Sequence, residues 1–191
     1  MWTHLAPWLV KTGEVPQLEV GDVLRGAALH ASYWSLVGAR GPEGLTELSG
    51  PDPAGEHSPH YELTGTVASL ADGSTEVVLQ VDGLALVAGP RVEGHQSGFQ
   101  PPEAGQRVTA VARLEALSLY DAGAPDVRRD WLVRALKVEH RAPVPSPGYP
   151  GQTEPGAIVR IDDISRMLRW ADASSKDHAS YLLDLEPLPA D

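Results

Sequence analysis

The chain has no cysteine. Disulfides, thiolate nucleophiles and Cys-ligated zinc or iron–sulfur clusters are thereby excluded. It also has no run of roughly 18 consecutive apolar residues, so no transmembrane helix is expected. The opening stretch, MWTHLAPWLVKTGEV, lacks a basic segment, and Pro7 breaks its apolar run. It does not read as a secretory signal. The default expectation is a cytoplasmic protein with no membrane association. Motifs of common chemistries are absent too: there is no GxSxG, HExxH, P-loop or GxGxxG, and the glycines of Gly38–Gly44 lack a phosphate-binding lysine. No catalytic residue and no cofactor can be nominated, and the expectation is a protein that is not an enzyme.

What the chain has in quantity is turn formers. It carries 19 Gly and 17 Pro among 191 residues, with 42% hydrophobic and 21% charged residues. That composition suits one globular domain of short strands and many turns. The net charge is −11. The acidity sits in residues 1–105 and 142–191, whereas 106–141 is mildly basic. Such a surface repels nucleic acid and anionic lipid and attracts a basic partner.

The clearest element is Thr75–Ala88, TEVVLQVDGLALVA. Two aliphatic, valine-rich runs flank Asp82-Gly83, the dipeptide that best tolerates the positive φ angles of a type I′ turn. A hairpin is expected. His60–Leu70 alternates Tyr61, Leu63, Gly65 and Val67 against polar neighbours, as a half-buried strand does. Gln106–Tyr120 and Arg128–Arg141 read as two further strands, and Gln17–Val37 as β with bends at Gly21 and Gly26. The N-terminal residues, with Trp2 and Trp8, are expected to dock as a helical turn or an edge strand.

Between these lie loops. Gly38–Pro59 holds five glycines and four prolines, and a structureless stretch of that length is usually functional or disordered. Gly89–Gly105 contains Arg91 and Phe99, and Asp121–Val127 precedes Arg128. Residues 142–156 form a Pro-rich connection between a β-barrel domain (1–141, with its N-terminal extension) and a C-terminal appendage (157–191) packed on the same domain. In the appendage, Ala157–Trp170 reads either as a strand and helix or as one arm of a hairpin with His178–Glu186. The prolines after YLLDL lean the reading toward the hairpin.

Residues 61–141 run strand, turn, strand, Asp-Gly turn, strand, irregular connection, strand, loop, strand. With GTV in the first strand, VDG between the second and third, and GQRVTAVARL in the fourth, this layout resembles the OB-fold, a five-stranded Greek-key barrel. The resemblance implies an all-β protein and a ligand face on strands two and three, flanked by Ala71–Ser74 and Tyr120–Asp130. It nominates Tyr120, Arg128, Arg129 and Trp131, with Arg91 and Phe99 nearby, as binding residues. It also suggests single-stranded nucleic acid as a ligand, although Thr75–Ala88 offers no aromatic ring for a base to stack on.

Two weaker features complete the reading. Glu56-His57-Ser58-Pro59-His60 puts two histidines three apart beside a carboxylate, a metal candidate without a partner pair; a solvated loop is the simpler expectation. Trp34, Trp131 and Trp170 are expected in the core, with Trp2 and Trp8 nearer an interface. The function expected is a non-catalytic β-barrel that binds another protein through its long loops, as an inhibitor, immunity-type protein or accessory subunit. A single-stranded nucleic-acid module and an enzyme of unknown class are the alternatives.

Overall fold

The computed structural model describes residues 1–70, 76–91, 102–116, 127–149, 151–167 and 178–189. Tyr120, Phe99, Trp170 and the turn 71–74 lie outside them.

The described residues are all-β apart from one short helix. The expected hairpin forms as β6 (Val77–Val81) and β7 (Leu84–Pro90). Asp82 and Gly83 take φ values of 48° and 76°, the two left-handed positions of a type I′ turn. Before it comes β5 (Tyr61–Leu70), whose Tyr61, Leu63, Gly65 and Val67 all point inward. Gly65 is there because β6 crosses close by: a methyl at this position would collide with the Gln80 carbonyl and with Val81. β8 (Arg107–Ala116) pairs antiparallel with β5.

Five strands close into a barrel, and the fifth is not the one that the sequence suggests. β3 (Leu29–Gly38), which precedes the others in the chain, closes it. It runs antiparallel to β8 and parallel to β7, so the circuit is β5, β6, β7, β3, β8 and back to β5. Leu29, Ala31 and Tyr33 of β3 fill the place that an Arg128–Arg141 strand would take.

The displaced strand, β9 (Arg129–Pro145), is the spine of a second sheet. β11 (His178–Pro187) runs along one of its edges. β2 (Val23–Ala27) and β10 (Thr153–Ile164) share the other. β10 and β11 are therefore both strands, but they flank β9 instead of forming a hairpin with each other. The Pro-rich connection is mostly strand as well, since Pro143 and Pro145 of β9 stand opposite Pro155 and Thr153 of β10. Prolines are tolerated here because the paired ends lie at the sheet margin.

The N-terminus takes both expected forms. β1 (Trp2–Leu5) pairs with β11, touches β8 at His4 opposite Glu115, and so joins the two sheets. α1 (Pro7–Lys11) follows. A short strand, β4 (Gly44–Glu47), adds to the outside of β5.

One apolar core spans both sheets. It runs from Leu63, Leu79, Leu86 and Leu114 inside the barrel to Leu136, Val138 and Leu183 on one face of the second sheet. The opposite face of β9 carries Lys137, Glu139 and Arg141, because charged and apolar residues alternate along that strand. That charged face is where the candidate site lies.

Candidate functional site

The segment from Leu48 to His60 has no regular secondary structure. It is nevertheless tightly held. Asp52 is buried and folds the segment back on itself: its Oδ1 accepts the backbone N–H groups of Ala54 and Glu56, both at 2.9 Å. The Asp52 and Gly55 N–H groups add bonds to the Glu56 and Asp52 carbonyls. Gly55 has a φ of 82°, which a side chain would strain.

Two arginines pin this turn to the two sheets. Arg113, buried on β8, donates to Asp52 Oδ2 at 2.5 Å and to Glu56 Oε2 at 3.0 Å. Arg141, on β9, grips Glu56 as a fork, Nη1 to Oε1 at 2.6 Å and Nη2 to Oε2 at 3.1 Å. Such bidentate pairs are strong and geometrically selective. The bonds from Arg141, then those from Arg113, outweigh burial and hold the Glu56 carboxyl at a pKa of about 2.

The next residues anchor to Glu139, which is fully buried. Its Oε1 accepts the Ser58 hydroxyl at 3.1 Å and its Oε2 the Ser180 hydroxyl at 2.7 Å. His4 Nε2 lies 3.0 Å from the same Ser58 Oγ. Burial, then the positive charges of Arg113 and Arg141, keep the His4 imidazole well below its ordinary pKa. It is neutral at pH 7.

Ser58, His4 and Glu139 are the residue types of a hydrolytic triad, but they form a closed triangle. In a working triad the imidazole stands between acid and nucleophile. Here the serine donates straight to the carboxylate, and His4 Nδ1 is 3.8 Å from Glu139, too far for a hydrogen bond. This geometry anchors the segment and does not prime a nucleophile.

Two consequences follow for the surface. First, Ser49, Pro51, Pro53, Ala54 and His57 are exposed on a segment whose alternate side chains are tied down. Second, an open groove of about 610 Å³ runs beside it, between Leu48–Gly50 and Pro59 on one side and Trp2, Lys137 and Ile161 on the other. Lys137 Nζ sits 4.8 Å above the Trp2 ring.

Of the binding residues nominated from sequence, the four that are described, Arg91, Arg128, Arg129 and Trp131, are not gathered at one place. Arg128 and Arg129 line an open cleft of about 460 Å³ at the β6–β7 turn, where Arg129 reaches the Gly83 carbonyl at 3.4 Å. Trp131 borders this cleft but is only 1% exposed, and its Nε1 donates to the Ala27 carbonyl at 2.9 Å. It is a core residue. Arg91 lies at the other end of β7, with its guanidinium 5.1 Å from the Trp34 ring. Trp34 itself is only half-buried, with Arg113 near the same ring at 5.7 Å. The outer face of the hairpin is covered at one end, where Val78 and Val87 pack against Ala28 and Val127, and open at the other, where Gln80 and Ala85 line the cleft.

The HxxH pair diverges. His57 is exposed, whereas His60 is buried with Nδ1 3.1 Å from the Ser58 carbonyl. Among the described residues no group of three or more potential ligands gathers around either of them. The segment is likewise not the solvated loop that its composition suggests, because Asp52, Ser58 and His60 are all buried.

Asp52, Glu56, Arg113, Glu139 and Arg141 escape a reading by motif because they are far apart in sequence. One signal was present: Lys137, Glu139 and Arg141 put three charges on one face of a strand, which needs partners or water. No family model, no curated protein and no solved structure matches this chain.

Proposed function

We propose that this is a non-catalytic protein-binding protein, of inhibitor, immunity or accessory type, that docks its partner on the clamped segment 48–60 and the groove beside it. The observation carrying this reading is the fixation of an exposed, irregular segment by buried ion pairs to both sheets. Binding residues often sit on loops that a rigid scaffold positions. A segment held in one conformation before contact avoids most of the ordering cost of association. The groove supplies what an anchor residue needs: the Trp2 ring, with Leu48, Pro59 and Ile161 around it. The net charge of −11 favours a basic partner and speeds its approach.

The single-stranded nucleic-acid reading has less support. The face that would bind it carries no aromatic ring and is covered at Val78 and Val87 by Ala28 and Val127, and stacking requires exposed rings.

Affinity capture with the wild type and with a doubly substituted tip, Ala54→Arg and His57→Asp, tests the proposal. Both positions are exposed, so the clamp stays intact. The partner retained by the wild type should be lost from the tip variant. Identical captured sets would overturn the reading.

A further inference from the structure

Among the described residues, seven large apolar side chains are well exposed, and four of them, Val144, Tyr149, Val159 and Ile161, belong to β9, β10 and the turn between them. Among the described residues no strand lies along the outer edge of β10 from Ile158 to Ile164. That edge is usable, since Ser165 and Met167 just beyond it already bond the 18–20 segment, through Val20 N–H to the Ser165 carbonyl and Met167 N–H to the Leu18 carbonyl. An open edge is a template for another strand. The question is which strand.

The sequence of β10 answers it. Arg160 and Asp162 lie two apart on one face of the strand, paired with each other at 2.8 Å within the chain and with His140 beside them, and Ile161 lies between them on the other face. Consider a second copy laid antiparallel against the first about a two-fold axis through Ile161. Arg160 then faces Asp162 of the second copy, Asp162 faces its Arg160, and Ile161 meets Ile161; the pairing ends short of Val159, where β10 is irregular. Opposite charges directly across a strand pair stabilise it and like charges destabilise it. Sliding the pairing by one step to the next allowed two-fold puts Arg160 against Arg160, or Asp162 against Asp162. Sliding by half a step sets side chains of opposite faces against each other. Only the axis through Ile161 satisfies both rules.

We propose that the chain self-associates through β10 as an isologous antiparallel dimer centred on Ile161. The contact joins two sheets edge to edge, and places two Ile161-lined grooves side by side. It does not depend on the partner-binding reading. The interface is small, at the weak end of specific contacts, so the dimer forms in a concentration-dependent way.

Charge exchange tests it. Arg160→Asp and Asp162→Arg each create like-charge pairs in a homodimer, and each should be monomeric in sedimentation velocity where the wild type dimerises. Mixed together, the two variants have complementary edges, a pair of carboxylates on one against a pair of guanidiniums on the other, and a heterodimer should appear. Circular dichroism confirms that each variant is folded. A second measurement uses the lack of native cysteine: Ile161→Cys should oxidise to a disulfide dimer far faster than Asp163→Cys, although position 163 is the more exposed. A wild type that stays monomeric up to its solubility limit, or a dimer that neither charge change disturbs, overturns the proposal and leaves the edge to another occupant.

Discussion

Arg113 and Arg141 donate to the same oxygen, Oε2 of Glu56, at 3.0 and 3.1 Å. One arginine stands on the barrel and the other on the second sheet. A single carboxylate from an irregular segment therefore ties the two halves of the β structure together.

Glu56→Ala leaves both guanidiniums without their shared partner. Buried ion pairs add little net stability when complete, but removing one member costs about 3–5 kcal/mol. Glu56 is partly exposed, so a loss at the low end of that range is expected from urea unfolding. Glu186→Ala supplies the contrast. Its pair with Arg134 is exposed on both sides, and its removal should cost under about 1 kcal/mol.

The acid limb of stability should show two steps. The Glu56 carboxyl is lowered from 4.5 to about 2. Its contribution is complete above the unfolded value and is lost as pH falls from 4.5 toward 2. His4 is also lowered, below 6.5. The unfolded chain thus takes up its proton first, and stability begins to fall as pH drops below 6.5. Unfolding free energies measured from neutral pH down to about 2 should lose the upper step in His4→Gln and the lower one in Glu56→Gln. A wild-type profile that stays flat as pH falls from neutral to about 5 would contradict the assignment of His4.

Gly65→Ala tests the barrel closure. The added methyl would overlap the Gln80 carbonyl and Val81, and forcing atoms into a packed site costs about 1–3 kcal/mol. Gly41→Ala, where nothing lies within 4 Å of the added carbon, should be close to neutral. Equal stability of the two variants would mean that β5 and β6 do not approach as described.

Trp131→Phe removes the donor to the Ala27 carbonyl while keeping most of the ring. An acceptor left unsatisfied in the core costs about 1–3 kcal/mol, so thermal unfolding should shift downward. A residue serving a partner would instead leave stability unchanged.

These residues mark how far the sequence carries. Most strands were legible, because alternation in β5 and the Asp82-Gly83 turn are local signals; β4 was not, since it lies in the Gly- and Pro-rich stretch 38–59 that reads as a loop. The closing strand was not. Leu29, Ala31 and Tyr33 and the aliphatic residues of β9 have similar patterns, and periodicity does not say which strand meets β7. The same limit explains β10 and β11. Each was readable as a strand, but their shared partner β9 is a nonlocal fact. Trp131 was nominated for a binding loop because that loop resembled an OB-fold's, and the same residue sits in the core because β9 belongs to another sheet. The clamp was hidden for a further reason: a Gly- and Pro-rich segment looks loose when its acids are counted without the arginines that hold them.

The most direct test is hydrogen exchange at the Ala54, Gly55 and Glu56 amides of the free protein. Each donates to Asp52, through its carboxylate or its carbonyl. If the segment is fixed before any partner arrives, these amides are protected well beyond an unstructured peptide, and the protection falls in Glu56→Ala. Exchange at the unstructured rate in the wild type would contradict the clamped-loop account.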